Sequence, residues 1–395
     1  MSKWQQVKLG DIACNIQTGP FGSQLHQSDY SETGTPVVMP KDLVEGKISE
    51  QSIARVEASH IERLAKHKIQ NGDILYSRRG DVGRCAYAGK KETGWLCGTG
   101  CLRVTIDESH ALPKFIFYQL QTSQSVGWVE KHAVGSTMLN LNTSILSNIP
   151  ILLPPIEVQR KIADVLSAYD DLIENNRRQI KLLEEAARRL YKEWFIDLRF
   201  PGHESTPIIN GIPQGWEKKK LIDIADIQYG YAFDGNLFNS DGNGTPIVRI
   251  RNIPAGITED YTTESADSQY LITNGDILVG MDGEFHINTW CGGTAYLVQR
   301  TCRIMPKNAD LRGYLLLAIY EPIKFFEKTV VGATVAHLGK KHLDSIILTI
   351  PTSELYSQLQ EFFFKRQDLM LQNRKLAESR DRLLPKLMNG ELEVK

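Results

Sequence analysis

The sequence predicts an α+β molecule: two pseudo-twofold-related α/β modules joined by two long helices that pair as an antiparallel coiled coil. The first observation behind this is that the chain repeats itself. WQQVKLGDIA at 4–13 returns as WEKKKLIDIA at 216–225, GTPVV at 34–38 returns as GTPIV at 244–248, and NGDIL at 71–75 returns unchanged at 274–278. Val134-Gly135-Ser136-Thr137 likewise returns as Val331-Gly332-Ala333-Thr334. The order is kept while the spacing drifts, and the period far exceeds the roughly 20–50 residues of a solenoid repeat, so this is a duplicated domain. The second observation is that each copy ends in a proline-led segment whose apolar residues recur every seven positions.

In the first copy, short β-rich runs at 35–39, 73–77, 100–106 and 147–153 are separated by glycine turns, and a helical pattern covers 113–131. The second copy repeats this with runs at 246–250, 276–279, 301–305 and 345–350 and a helical pattern at 312–328. After Pro154-Pro155, one apolar stripe runs through Leu166, Ile173, Ile180, Ala187 and Trp194, and a second through Ile162, Tyr169, Asn176, Leu183 and Leu190. Two such stripes make a coiled-coil seam. The later segment, after Pro351, offers Leu359, Phe362, Phe363, Leu369, Met370, Leu376, Ala377, Leu383, Leu384 and Leu387. Its Pro385 stands where the first copy has Arg188 and is expected to kink or end the helix. Asn176 and Asn373 share a repeat position beside the seam, where a polar residue either fixes register or faces solvent at the edge. Pairing the seams antiparallel buries both, in a rod of about 60 Å at about 1.5 Å per residue. The expected divisions are 1–153 for the first module, 154–200 for the central helix, 201–350 for the second module and 351–395 for the C-terminal helix.

With 395 residues, 42% hydrophobic and 24% charged, the chain is long enough for two cores and is not of disordered composition. No apolar run approaches the roughly 20 residues of a membrane span, and the chain opens on the first repeat without a signal-peptide pattern, so a cytoplasmic protein is expected. Of the six cysteines only Cys97 and Cys101 come near a paired spacing. A zinc site needs a second pair, so free buried thiols are expected there. The net charge is −1, and no segment of the chain is strongly basic. Any grip on nucleic acid must therefore come from local clusters or from partner subunits. Two similar modules suit duplex DNA with two half-sites.

Candidate DNA contacts are cationic and amide side chains at the ends of the β-rich runs. Lys41 follows the run at 35–39, Arg78 and Arg79 follow 74–76, and Arg84 follows a Gly-Asp-Val-Gly turn. Arg249, Arg251 and Asn252 hold the corresponding place in the second copy. Asn140 and Asn142 come after the Val134 turn, and His337, Lys340 and Lys341 come after the Val331 turn. Arginine suits guanine edges or phosphate, and asparagine suits adenine. Taken singly, each is more often a solvated surface group; taken together they make a candidate reading surface. The glycine-rich stretch at 18–24 reads as a tight turn with positive φ, with close backbone approach to DNA as the alternative. Asp282 and Glu284 could suggest a nuclease metal, but the first copy has Arg78-Arg79-Gly80-Asp81 there, and no metal is expected. The chain contains no Asp/Asn-Pro-Pro-Tyr/Phe motif of an adenine methyltransferase and no P-loop; Gly339-Lys340-Lys341 lacks the first glycine and the hydroxyl.

At this point the chain resembles the specificity subunits of type I restriction-modification systems. The strongest part runs from Leu153-Pro154-Pro155-Ile156-Glu157-Val158-Gln159 through Ile162-Ala163 and Leu166 to Trp194-Phe195-Ile196-Asp197. It is similar to the family's central helix, LPPxxEQxxIAxxL, with Glu157-Val158-Gln159 in place of the Glu-Gln pair. Gly72-Asp73-Ile74-Leu75 and Gly275-Asp276-Ile277-Leu278 look like its two target recognition domains. At the C-terminal helix Pro351-Thr352-Ser353-Glu354 departs from the pattern, and the expected glutamine is Tyr356.

The resemblance implies a subunit without catalysis that reads a bipartite, asymmetric site in double-stranded DNA. It implies two modification (methyltransferase) subunits docked on the helices, with Gln159, Trp194 and Phe195 as partner contacts, and restriction subunits beside them. It also implies no cofactor on this chain, with S-adenosylmethionine, ATP and Mg on the partners. Two other readings are a two-headed scaffold for protein partners and a self-contained restriction enzyme. The missing motifs count against the enzyme. The diverged loops, Ser77-Arg78-Arg79 against Val279-Gly280-Met281, count against a scaffold holding two copies of one partner. Trp194 and Phe195 could alternatively cap the helical seam.

Overall fold

The computed structural model describes residues 4–20, 24–135, 139–329 and 336–394. They form two compact units, Met1–Asp171 with Glu378–Lys395 and Leu172–Ala377, so each unit takes part of both long helices.

Each unit is built around an antiparallel four-stranded sheet. In unit 1 the order is Ala13–Thr18, Cys101–Ile106, Ile74–Ser77, Cys85–Tyr87, and in unit 2 it is Ala225–Tyr229, Thr301–Pro306, Ile277–Gly280, Ile287–Thr289. A second, mixed sheet contains Thr35–Val38 parallel to Leu96–Cys97 in unit 1, and Thr245–Val248 parallel to Ala295–Leu297 in unit 2.

The repeated run Ile-Leu-x is the strand between these layers. Ile74 and Tyr76 pack into one core with Leu102, Phe115 and Tyr118, whereas Leu75 packs into the other with Val38, Cys97 and Cys101. Ile277 and Val279 against Leu278 divide in the same way. A strand buried on both faces has no polar alternation, which is why it reads as a continuous apolar run. The repeated opening segment forms a two-stranded ribbon in each unit, Gln5–Lys8 with Pro150–Leu153 and Glu217–Lys220 with Ile347–Ile350. Its strands QQVK and EKKK are too polar to announce themselves as strands.

The helical pattern expected at 113–131 is two helices, Pro113–Leu120 and Ser123–His132. Thr122 divides them because its extended backbone and hydroxyl cap the second helix, accepting from the Ser125 amide at 3.3 Å. The counterpart at 312–328 also divides, into Arg312–Ala318 and Tyr320–Thr329.

The long helices are Ile156–Tyr191 and Ser353–Met388. Contrary to expectation, the second does not end at Pro385. The helix runs three residues past the proline to Met388, and the Asn389 amide donates back to the Pro385 carbonyl at 3.1 Å. Within unit 2 the helices run antiparallel, since Asn373 Nδ2 donates to the Ile173 carbonyl, Asn176 Nδ2 to Gln372 Oε1 and Arg366 Nε to Glu184 Oε1, at 3.3, 3.5 and 2.7 Å. Asn176 is buried and Asn373 half-buried, so they belong to the seam and not to a solvent edge. In unit 1 Arg380 Nη1 holds Asp170 Oδ1 at 2.7 Å.

One inward-facing ion pair is made twice, buried in unit 1 and half-buried in unit 2. Asp73 Oδ2 accepts from its own turn, the Gln70 amide at 2.7 Å, and Asp276 Oδ2 accepts from the Thr273 amide at 2.8 Å. Arg103 Nη1 lies 3.6 Å from Asp73, and Arg303 Nη1 lies 3.1 Å from Asp276. Each guanidinium also binds backbone carbonyls of the preceding loop, Lys66 and Lys68 in unit 1, Gln269 and Leu271 in unit 2. Burial lifts the Asp73 carboxyl above its usual range, while the Thr105 hydroxyl, the Gln70 amide and Arg103 oppose that rise. Gln17 Nε2 bridges this network to His67 Nδ1 at 3.1 Å. An acceptor at Nδ1 means a neutral ring with its proton on the buried Nε2. Burial, with Lys66 and Arg103 adding to it and a backbone hydrogen bond at Thr18 opposing it, pushes His67 down to about 4.

Two outcomes follow for the full chain. Arg103→Leu strands a buried carboxylate and should lower unit 1 stability by about 3 kcal/mol in urea unfolding, with most of it recovered when Asp73→Asn is added. A loss in the single variant no larger than that of a surface substitution would mean the pair does not hold the loop. For His67, the unfolded chain takes up a proton near the ordinary value of 6.5 and the folded chain only near 4. Stability is therefore fully present above pH 6.5 and is lost as pH falls toward 4, by on the order of 2–3 kcal/mol. His67→Gln should flatten unfolding curves across that window, and an unchanged slope would contradict the neutral buried ring.

Candidate nucleic-acid interface

The loop that follows the central strand is held by the same backbone frame in both units. The Ser77 amide donates to the Arg84 carbonyl at 2.9 Å, and the Gly280 amide to the His286 carbonyl at 2.9 Å. Arg78 N–H reaches the Gly100 carbonyl at 2.8 Å, and Met281 N–H the Arg300 carbonyl at 2.9 Å. Gly80 N–H reaches the Leu139 carbonyl at 3.1 Å, and Gly283 N–H the Ala336 carbonyl at 3.0 Å. A β-bridge then joins Arg79 to Asn140 in unit 1 and Asp282 to His337 in unit 2. A bonded backbone fixes where each side chain leaves the loop, so the two units offer different chemistry from one scaffold.

On this frame Arg79 is exposed, Arg78 and Asn140 are half-buried, and exposed Arg84 is tied to Asp81 at 2.6 Å. In unit 2, His337 Nδ1 lies 2.5 Å from Asp282 Oδ1, and Arg300 Nε lies 3.4 Å from Asp282 Oδ2. Lys340 and Lys341 are exposed in the first turn of helix Lys340–Ser345, close in sequence to His337. The structure thus brings Arg78, Arg79, Arg84 and Asn140 together in unit 1, and puts His337, Lys340 and Lys341 on one segment of unit 2.

The other candidates lie elsewhere. Lys41 donates to the Ser52 carbonyl at 2.9 Å. Arg251 is paired with Asp260, and Asn252 is spent on the turn, accepting from the Arg249 amide at 2.8 Å and donating to Asp260 at 3.1 Å. Arg249 sits over the Phe238 ring, 5.6 Å from its centroid. Asn142 caps helix Thr143–Ser147 through the Ile145 amide at 2.8 Å. Ser136, Thr137 and residues 331–334 of the repeated Val-Gly turns lie outside the described residues.

The expected partner contacts are corrected. Gln159 is buried, with its Oε1 accepting from the Leu112 amide at 2.9 Å and its Nε2 donating to the Pro154 carbonyl at 2.8 Å, so it fastens the long helix to its own module. Its structural counterpart is Gln360 rather than Tyr356. Gln360 Oε1 accepts from the Gly313 amide at 2.7 Å at the start of the equivalent helix. Trp194 and Phe195 are buried in the core of unit 2, with Phe195 against Trp216, Tyr191 and Tyr314, so neither projects from the surface.

Gly19 is corrected as well. Its backbone is not left-handed; a Cβ there would collide with the Gly98 carbonyl, just as one at Gly230 would collide with that of Val298. Residues 21–23 of that stretch lie outside the described residues.

Among the described residues no cluster could hold a metal ion, and no helix is long and apolar enough to cross a membrane. All six cysteines are free; Cys97 and Cys101 are buried, and burial pushes Cys97 up to about 12, whereas Cys14 is exposed.

Sequence reasoning missed Arg300, Arg103 and Arg303. The last two carried a signal, an arginine inside an otherwise apolar strand in both copies. It also missed an apolar cavity of about 670 Å³ in unit 2, lined by Tyr191, Phe195, Tyr314 and Phe363 and including exposed Ile196, Tyr320 and Ile347.

The type I restriction modification DNA specificity domain matches residues 1–185 and 213–368. The chain is 28% identical to the MjaIX specificity subunit of Methanocaldococcus jannaschii, over 99% of this chain and 94% of that one. It is 22% identical to the HindI specificity subunit of Haemophilus influenzae, over 99% and 100%. Its fold is like that of a type I restriction-modification S subunit from M. genitalium, with a TM-score of 0.58 at 18% identity, covering 98% and 96%. Duplicated modules, paired helices and a match over both repeats together place this chain in the family of type I restriction-modification DNA specificity subunits, which recognise DNA and are not themselves catalysts.

Proposed function

We propose that the chain reads a bipartite, asymmetric site in duplex DNA, one half through each module, and carries two modification subunits and the restriction subunits on its helices. The observation that carries this reading is the loop frame: the backbone bonds are duplicated, while Arg79 and Asn140 in one copy correspond to Asp282 and His337 in the other. A scaffold for two copies of one partner has no need of such divergence, whereas two half-sites of different sequence require it.

S-adenosylmethionine, ATP and Mg belong to the partner subunits in this proposal. The near-neutral charge of the chain suits that division of labour. Arg78, Arg79, Lys340 and Lys341 supply local cations, and partner subunits supply the rest of the phosphate grip. Exposed Ile196, Tyr320 and Ile347 beside the unit 2 cavity support a protein partner at that face, since large apolar groups left in water mark interaction surfaces.

The test is an exchange of residues 207–350 for the same region of a relative, followed by mapping of the methylated sequence. Only one half of the site should change. A change in both halves would contradict independent reading by the modules.

A further inference from the structure

Where the two frames coincide, most positions carry different side chains, and three of them meet at one place in unit 2. Gly100, Arg79 and Asn140 in unit 1 correspond to Arg300, Asp282 and His337 in unit 2, matched by the carbonyl that receives the loop amide and by the β-bridge. The first of the unit 2 residues is the unusual one. Arg300 adopts φ +69, in the left-handed region where glycine is at ease and a long side chain is not.

The side chain it projects is held but not covered. Its Nε lies 3.4 Å from Asp282 Oδ2 and its Nη1 3.3 Å from His337 Nδ1, while the guanidinium side chain keeps 56% of its exposure. His337 Nδ1 donates to Asp282 Oδ1 at 2.5 Å and so has no lone pair left for the guanidinium beside it; the imidazole fixes the carboxylate, and the carboxylate holds Arg300. A carboxylate against Nε limits the rotation of the planar guanidinium and offsets its charge, so it is poorly suited to serve as a loose phosphate contact. Such an arrangement suits directional recognition of a base edge, and for an arginine the best-matched edge is guanine O6 and N7.

We infer that Arg300 is the base-reading side chain of the second module, recognising a guanine in the major groove, with Asp282 and His337 as its positioning residues. This rests on the proposed reading of DNA by the two modules. Arg79 and Asn140 occupy the equivalent place in the first module, so base preference is set at the same structural position in both.

The test compares methylated motifs in cells expressing the modification subunit with the wild-type chain or with Arg300→Gly. Glycine is the residue that the left-handed backbone favours and the one found at the corresponding carbonyl of unit 1, so the variant should fold; thermal unfolding of the purified chain checks this. The guanine requirement at one position of the second half-site should vanish, with discrimination there falling about ten- to a hundredfold, while the first half and the spacer stay unchanged. Arg300→Lys should also lose discrimination, because it keeps the charge without the fork. Asp282→Ala should weaken discrimination at the same position, and Asp282→Glu should restore part of it. An unchanged motif, or an equal loss of binding to all sequences, would overturn the inference while leaving the bipartite reading in place. Absence of any bipartite motif with the wild-type chain would overturn both.

Discussion

The loop proposed to read DNA in each module depends on a carboxylate that faces inward, buried at Asp73 and half-buried at Asp276. Asp73 and Asp276 end a glycine turn, accept its backbone amide, and bind an arginine from the neighbouring strand. A buried carboxylate is costly unless it is paired and hydrogen-bonded, and here the partner is used twice over. The same guanidinium that balances the charge also gathers the carbonyls of the preceding loop. The result fixes the start of the central strand, and the strand fixes the loop at its far end. The unchanged NGDIL of the two copies is thus explained by geometry: glycine for the left-handed turn at Gly72 and Gly275, aspartate for the anchor, and apolar residues for two cores at once.

The loops proposed to read DNA are the opposite case. Their backbones are tied down by matched amide–carbonyl bonds, so side chains can be exchanged without disturbing the scaffold. One copy offers an exposed arginine beside an asparagine; the other offers a carboxylate, an imidazole and an arginine on strained backbone. A recognition protein benefits from this separation, because each module can acquire a new preference without refolding.

The parts legible in the sequence were those with local or periodic causes. The duplication, the seven-residue stripes and the strand runs all leave a pattern in neighbouring residues, and the structure buries Leu166, Ile173, Ala187 and Leu359 where the stripes put them. The illegible parts have distant causes. Gly19 is glycine because of the Gly98 carbonyl, far along the chain, and Gln159 is buried because a helix begins at Pro113. Gln360 eluded a fixed offset because the copies differ in length, placing it one helical turn beyond Tyr356 on the same helix. For the charged candidates the sequence does not say how each cation is held: Arg84 and Arg251 are each paired with a neighbouring aspartate, a contact that their order in the chain does not show.

The central claim is that two modules on one chain give a methylation complex its sequence. Genome-wide mapping of N6-methyladenine, in cells expressing the modification subunit with and without this chain, tests it most directly. The account predicts a motif of two unlike halves separated by a fixed spacer, present only with the chain. Methylation that is independent of the chain, or a complete complex that leaves no bipartite motif, would contradict it.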